Sequence, residues 1–247
     1  MQPVYDFTWK GKSAFSDFGI DVLQISSTVI AERRDTTHVI AGRSGLVHDQ
    51  DGAVEEIEQV LTIHLPYEQG RTVAPFPEIR RWLKGYDKLT LSTLPSYFLM
   101  ARITDLTELS VIAEGFADRK GPVIFRCDPY YYHVLSEDIP ITENTVIPNP
   151  GDTASEPVIT IDALGDLDLM IGSQTILLTD LDRPIVINSA AQEAYGYDDA
   201  GQLMNMSGYM SGDFPVLPAG NISISFSLGE DAVLNSMVIT PNWRDEA

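Results

Sequence analysis

Gln59-Val60-Leu61-Thr62-Ile63-His64-Leu65-Pro66-Tyr67 places Leu61, Ile63, Leu65 and Tyr67 on one face of an extended chain and Val60, Thr62 and His64 on the other. Successive side chains of a strand point to opposite faces, so this period of two predicts a half-buried β-strand. The alternation extends back through Ile57 and Glu55 to Ala53, just after Asp51-Gly52, a dipeptide suited to the positive φ angles of a tight turn. A long hairpin arm turning at Asp51-Gly52 is the reading that follows. Val54, Ile57, Glu58 and Leu61 also fit a helical stripe, which leaves the stretch before Gln59 open between strand and helix.

Downstream, one short helix stands out. Pro77 suits its first turn, Glu78 its positive end, Ile79, Trp82 and Leu83 share a face at i, i+3 and i+4, and Gly85 stops it. About two turns are too few for a helix to persist alone, so Trp82 is expected to pin it on a sheet, with Ile79 and Leu83 as packing partners. Further strands are expected over residues 88–92, 97–104, 109–117 and 123–127, then over 158–161, 167–171, 175–178, 185–188, 222–228 and 233–240. Asn149-Pro150-Gly151, Leu164-Gly165-Asp166, Gly172-Ser173 and Pro218-Ala219-Gly220-Asn221 read as the breaks between the later strands. Many short strands without a helical period argue for a mainly β chain, its second half a β-sandwich.

The chain has 247 residues, enough for two domains, and its 44% apolar and 21% charged residues match globular averages. The opening Met1-Gln2-Pro3-Val4-Tyr5-Asp6 lacks a basic stretch followed by an apolar core, and no apolar run approaches the ~18 residues of a membrane span. Neither a signal peptide nor membrane insertion is expected. One cysteine, Cys127, cannot form an internal disulfide, and four scattered histidines offer no zinc spacing. The net charge of −20 is unevenly divided: 14 Lys/Arg stand against 18 Asp/Glu through residue 135, and only Arg183 and Arg244 against 18 acids beyond it. Lysine disappears at Ser136-Glu137-Asp138, so the domains are read as 1–137 and 138–247. An acidic half without lysine is unsuited to nucleic-acid phosphates or anionic lipid, and no specific nucleic-acid binding is expected.

Catalytic chemistry finds no footing. Asp166/Asp168 and Asp180/Asp182 could be calcium ligands or glycosidase carboxylates, but residues two apart on a strand share a face and read more simply as solvated acids. Cys127 with His133 could be a nucleophile and its base, yet a free cysteine in the apolar run Val123-Ile124-Phe125 is more simply a packed thiol. Ala41-Gly42-Arg43-Ser44-Gly45 lacks the spacing of a phosphate loop. Tyr130, Tyr131 and Tyr132 could stack on sugars or pack at a domain junction. No catalytic residue, metal ligand or cofactor is assigned, and the chain is not expected to be an enzyme.

The order of several short motifs carries more. Ser16-Asp17-Phe18-Gly19-Ile20, Ala41-Gly42-Arg43-Ser44-Gly45, Arg81-Trp82-Leu83-Lys84-Gly85 leading into Leu89-Thr90-Leu91-Ser92, and Phe125-Arg126-Cys127-Asp128-Pro129 occupy the first half. Asn149-Pro150-Gly151, Glu156-Pro157-Val158-Ile159, Pro218-Ala219-Gly220-Asn221 and Pro241-Asn242-Trp243-Arg244 follow. Together they resemble the distal tail protein (Dit) family, the baseplate hub component of long, non-contractile phage tails. The pattern departs at Ala41, where the family often has proline.

The resemblance implies an N-terminal ring-forming, tail-tube-like β-sandwich domain with a short helix and long hairpin, and a C-terminal galectin-like β-sandwich. It implies a virion protein at the distal end of the tail, assembled in the host cytoplasm into a ring, usually of six copies, with a channel for DNA. Its partners would be further copies of itself, the major tail tube protein, the tail-associated lysin or fibre protein and, in some relatives, a receptor-binding protein. Val54, Ile57, Val60, Leu61 and Ile63 are the candidate ring-interface residues, with packing inside their own subunit as the alternative. The competing function is a carbohydrate-binding adhesin for host cell-wall glycans, for which the second half offers no histidine and two arginines.

Overall fold

The structure is a computed structural model that describes residues 5–26, 30–39, 41–42, 44–45, 47–66, 74–105, 110–111 and 119–247. The chain divides into two compact units, one reaching to Val134 and taking back Glu246–Ala247, the other formed by Leu135–Asp245.

The first unit contains β1 (Phe7–Trp9), β2 (Lys12–Ser13), α1 (Ala14–Phe18), β3 (Asp21–Ile25), β4 (Arg33–His38), β5 (Val47–Val54) and β6 (Ile57–Leu65). It continues with α2 (Phe76–Trp82), β7 (Tyr86–Leu91), β8 (Tyr97–Asp105), β9 (Ser110–Val111), β10 (Arg119–Cys127) and β11 (Tyr130–His133). The main sheet is antiparallel in the order β2-β1-β7-β8-β10-β6-β3. β6 carries the alternation that its sequence announces: Ile57, Gln59, Leu61, Ile63 and Leu65 are buried, while Glu58, Val60, Thr62 and His64 face the other side. Tyr67 lies outside the described residues, as do residues 109 and 112–117 of the strand expected over 109–117.

The core of this unit is aromatic. Trp82 stacks on Phe18 at 4.0 Å and on Phe7 at 5.6 Å, and Phe125 meets Phe7 and Trp9 edge-on. The two indoles also exchange hydrogen bonds: Trp9 Nε1 donates to the Trp82 carbonyl (3.1 Å) and Trp82 Nε1 to the Trp9 carbonyl (2.9 Å). A buried indole N–H needs such a partner, and here each tryptophan supplies the other's. Ile79, Trp82 and Leu83 are all buried, so α2 packs by the face its spacing predicts. The sequence reading placed no helix at α1. Ser13 Oγ accepts from Ser16 N (2.9 Å), Asp17 accepts from Ser13 N (2.8 Å), and Gly19 closes the helix at φ +69°. A five-residue helix is too short for periodicity to reveal it; its two ends hold it.

The hairpin differs from its expected form. Asp51-Gly52 is not a turn but lies within β5, where the register of β4 against β5 shifts between Arg33 and Asp35. The chain reverses instead around Gly42 and Gly45, at φ +83° and +90°. β4 and β5 pair as a separate two-stranded sheet, and Glu55-Glu56 separate that ribbon from β6. A dipeptide suited to a turn also suits a bulge, and local sequence does not distinguish them.

In the second unit the strands are β12 (Ile139–Pro140), β13 (Thr145–Asn149), β14 (Val158–Ile171), β15 (Gln174–Leu181), β16 (Ile185–Asn188), β17 (Glu193–Tyr197), β18 (Leu203–Asn205), β19 (Met210–Ser211), β20 (Gly220–Leu228) and β21 (Val233–Thr240). β14 corrects the expected break at Leu164-Gly165-Asp166, because it runs through without a turn. Its first half pairs with β16 and β21, its second half with β15 and β20, so one strand belongs to both paths of the sheet. Gly165, at φ +83°, allows the change of partners, with Ala232 packed 3.1 Å from where a Cβ would stand. Ile159, Ile161, Ala163, Leu167, Leu169 and Ile171 point inward throughout and are buried.

Candidate assembly surface

Of the five candidate interface residues, Ile57, Leu61 and Ile63 are at most 2% exposed and belong to the first unit's own core. A side chain with no accessible area has none to give a neighbour, so these three hold the sheet beneath any interface and do not face it. Val54 and Val60 are half-buried. β6 is also flanked on both sides, by β10 and β3, so its backbone has no free edge. The ribbon of β4 and β5 is different: among the described residues each strand pairs only with the other. No other described strand joins the ribbon at either edge, and a two-stranded ribbon is at best marginally stable in water alone. Next to it Ile30 and Val39 are 79% and 81% exposed.

The outward face of the main sheet is ionic and aromatic. Arg102 bonds both Glu56 carboxylate oxygens (2.8 and 3.0 Å), and Arg126 reaches Glu58 (3.2 Å). Tyr86 donates to Asp128; burial, then this bond to an anion, raises the phenol above its ordinary range. On this face Tyr132 stacks on Phe98, with Lys88 Nζ 4.5 Å above the Phe98 ring; on the opposite face, that of the buried Leu99 and Ala101, Tyr131 and His133 meet Tyr97 edge-on. Tyr131 and Tyr132 thus pack on the first unit's own β8 aromatics, and Tyr130 meets Tyr132 edge-on.

Cys127 is fully buried, and desolvation pushes its thiol up to about 12. A thiol so far from ionisation is a poor nucleophile. Asp166, Asp168, Asp180 and Asp182 are all exposed. Asp182 bonds Arg183 through both oxygens (2.9 and 3.0 Å), which lowers the carboxyl and raises the guanidinium. Among the described residues no cluster of His, Cys, Asp and Glu could hold a metal ion.

Four distant motifs of the second unit meet in one knot. Asn149 Nδ2 donates to the carbonyls of Thr153, Leu217 and Pro218 (3.1–3.2 Å), and its Oδ1 accepts from Gly151 N (2.9 Å). Arg244 Nε donates to the Ala154 carbonyl (2.8 Å) and Nη1 to Glu156 (2.9 Å); Asn242 Nδ2 donates to the Glu156 carbonyl (3.0 Å). A Cβ on Gly151 would lie 2.2 Å from the Arg244 carbonyl oxygen, so no other residue fits there. Asn149-Pro150-Gly151 and Pro218-Ala219-Gly220-Asn221 read locally as breaks between strands; the mutual contact of the four motifs has no local signature.

No protein-family model and no curated protein matches the chain. In structure it is similar to the crystal structure of the Dit (gp 19.1) protein of SPP1, described as a paradigm of the hub adsorption apparatus in Gram-positive-infecting phages. The TM-score is 0.64 at 17% sequence identity, over 96% of this chain and 97% of that one. The fold of this chain is therefore a Dit-like, mainly β fold, and the likeness runs through both of its units.

Proposed function

We propose that this protein is a structural hub component of a phage tail tip. Copies of the first unit close into a ring, six by the expectation of the resemblance, through which DNA passes. The second unit faces outward as a galectin-like sandwich. The ring joins the tail tube protein on one side to the tail-associated lysin or fibre protein on the other, within the virion and after assembly in the host cytoplasm. Function is then geometric and calls for no cofactor or bond-breaking step.

The observation that carries this reading is a fold likeness to a hub protein that extends over nearly the whole of both chains, so that it concerns both units and not one common sandwich alone. Ring closure draws its support from the ribbon of β4 and β5. A ribbon that no other described strand joins suits a heterologous contact, which closes on itself when the rotation between neighbours allows. Virions made without this chain test the reading. Tails that stop short of a tip and fail to adsorb are the expected product, and the chain supplied in trans restores them. Infectious particles with intact tips would overturn it.

A further inference from the structure

Beside α2 the first unit has an open cleft of about 340 Å³ lined by Lys10, Lys12, Phe18, Glu78, Arg81 and Trp82. Its floor is the stacked pair Phe18 and Trp82, and its rim carries three cations against one carboxylate. Lys84 stands beside the cleft, and Arg80 adds a further exposed cation on α2. Lys10 Nζ donates to the Lys84 carbonyl, and Lys12 Nζ stands 5.7 Å above the Phe18 ring. None of these five cations has a carboxylate partner among the described residues, in a chain whose acids outnumber its Lys and Arg by 36 to 16. Such a concentration of unpaired positive charge is the footprint of an anionic partner.

The second unit presents a matching surface. Where β14 changes partners, Asp180 N donates to Asp166 Oδ1 (2.8 Å) and Gly229 N to the Asp166 carbonyl (2.9 Å), which brings Asp166, Asp180, Glu230 and Asp231 together. All four are exposed, and none has a cationic partner among the described residues. Leu164, Leu228 and Val233 stand beside them at 47%, 42% and 50% exposure, Leu164 directly opposite Val233 in register. Carboxylates framing exposed aliphatic side chains make a protein-binding surface; acids alone would gain nothing from the leucines.

We infer that the cationic cleft of one copy receives this acidic, aliphatic end of the second unit of another copy. The inference rests on the ring reading and deepens it: it adds to the ribbon a second heterologous contact, in which charge sets the register between neighbours. A nucleic acid is the weaker occupant. The first half of the chain still carries more acids than cations, 18 to 14, and so has no long-range field to draw in a polyanion.

Charge reversal in the full chain tests this. Lys12→Glu with Arg81→Glu reverses the cleft and spares Lys10, whose bond to Lys84 is structural; Asp180→Lys, Glu230→Lys and Asp231→Lys reverse the other surface. Sedimentation velocity over a concentration series reads association, and near-ultraviolet circular dichroism of the stacked Trp82 reads folding. Each reversal alone weakens self-association by about tenfold or more, the combined variant regains it, and the wild-type protein associates less at high salt. If the Glu variant loses its fold, Lys12→Gln with Arg81→Gln must show a loss of the same sign. Single variants that associate like wild type, or a combined variant no better than either alone, overturn the inference while a wild-type assembly leaves the ring reading standing. A wild-type chain that stays a protomer removes both. Loss of binding to a fluorescent 30-base-pair duplex, with self-association unchanged, would identify DNA as the occupant and overturn the inference.

Discussion

Trp82 does more than its place in a helix motif indicates. Trp82→Ala removes two aromatic stacks and leaves the Trp9 carbonyl without its indole donor, so it should lower stability by about 3–5 kcal/mol, read as a shift of the urea midpoint. Gly151 and Gly208 form a matched pair. Gly151→Ala drives a Cβ into the Arg244 carbonyl and should cost about 2 kcal/mol or more, whereas Gly208→Ala meets nothing within 4 Å and should stay within about 0.5 kcal/mol in thermal melts. Cys127 makes a pH prediction. Its thiol is raised from 9.0 to about 12 in the folded chain, so above pH 9 the unfolded chain releases a proton that the folded chain keeps. Stability present below pH 9 is therefore lost as pH rises from 9 toward 12, by up to about 1.4 kcal/mol per unit. Cys127→Val should flatten that part of the urea-stability profile; an unchanged slope would assign the loss to other groups. The packing of Cys127 was legible from its apolar neighbours. The knot around Asn149 and Arg244 was not, because it joins residues about 90 positions apart in sequence.

At the scale of elements, alternation was a reliable guide wherever one face is buried. β6 and β16 follow their patterns throughout and β21 does so from Met237 onward, and α2 keeps the Ile79, Trp82 and Leu83 face. Strands of two or three residues, such as β2, β12 and β18, fall below the length at which a period can be recognised. Dipeptides with turn chemistry misled twice, at Asp51-Gly52 and at Leu164-Gly165-Asp166, since glycine serves a bulge within a strand as well as a reversal between strands. β6 and the ribbon also give separable predictions. Leu61→Ala opens a cavity in the protomer core and should cost about 2–5 kcal/mol of protomer stability. Val60→Glu, on the half-buried outer face, should leave the urea midpoint nearly unchanged and weaken assembly instead. If both variants change only the midpoint, Val60 belongs to the core and not to an interface.

For the whole molecule, the uneven charge was visible in the sequence, but its meaning was not. Counting showed a second half nearly without cations; only the fold gathers Asp166 of β14, Asp180 of β15 and Glu230 and Asp231 between β20 and β21, and sets Lys10, Lys12 and Arg81 around one cleft. An assembly built on such surfaces combines a ribbon contact that resists salt with a charged contact that does not, so its order of dissociation on raising ionic strength follows from the structure. The central claim is that copies of this chain close into a ring. Native mass spectrometry of the purified full-length chain at micromolar concentration, paired with negative-stain images of the same sample, tests it most directly. The account predicts a single dominant mass of six chains and annular particles with an open centre. A 27.3 kDa protomer persisting at the highest concentrations, with no rings in the images, would contradict it.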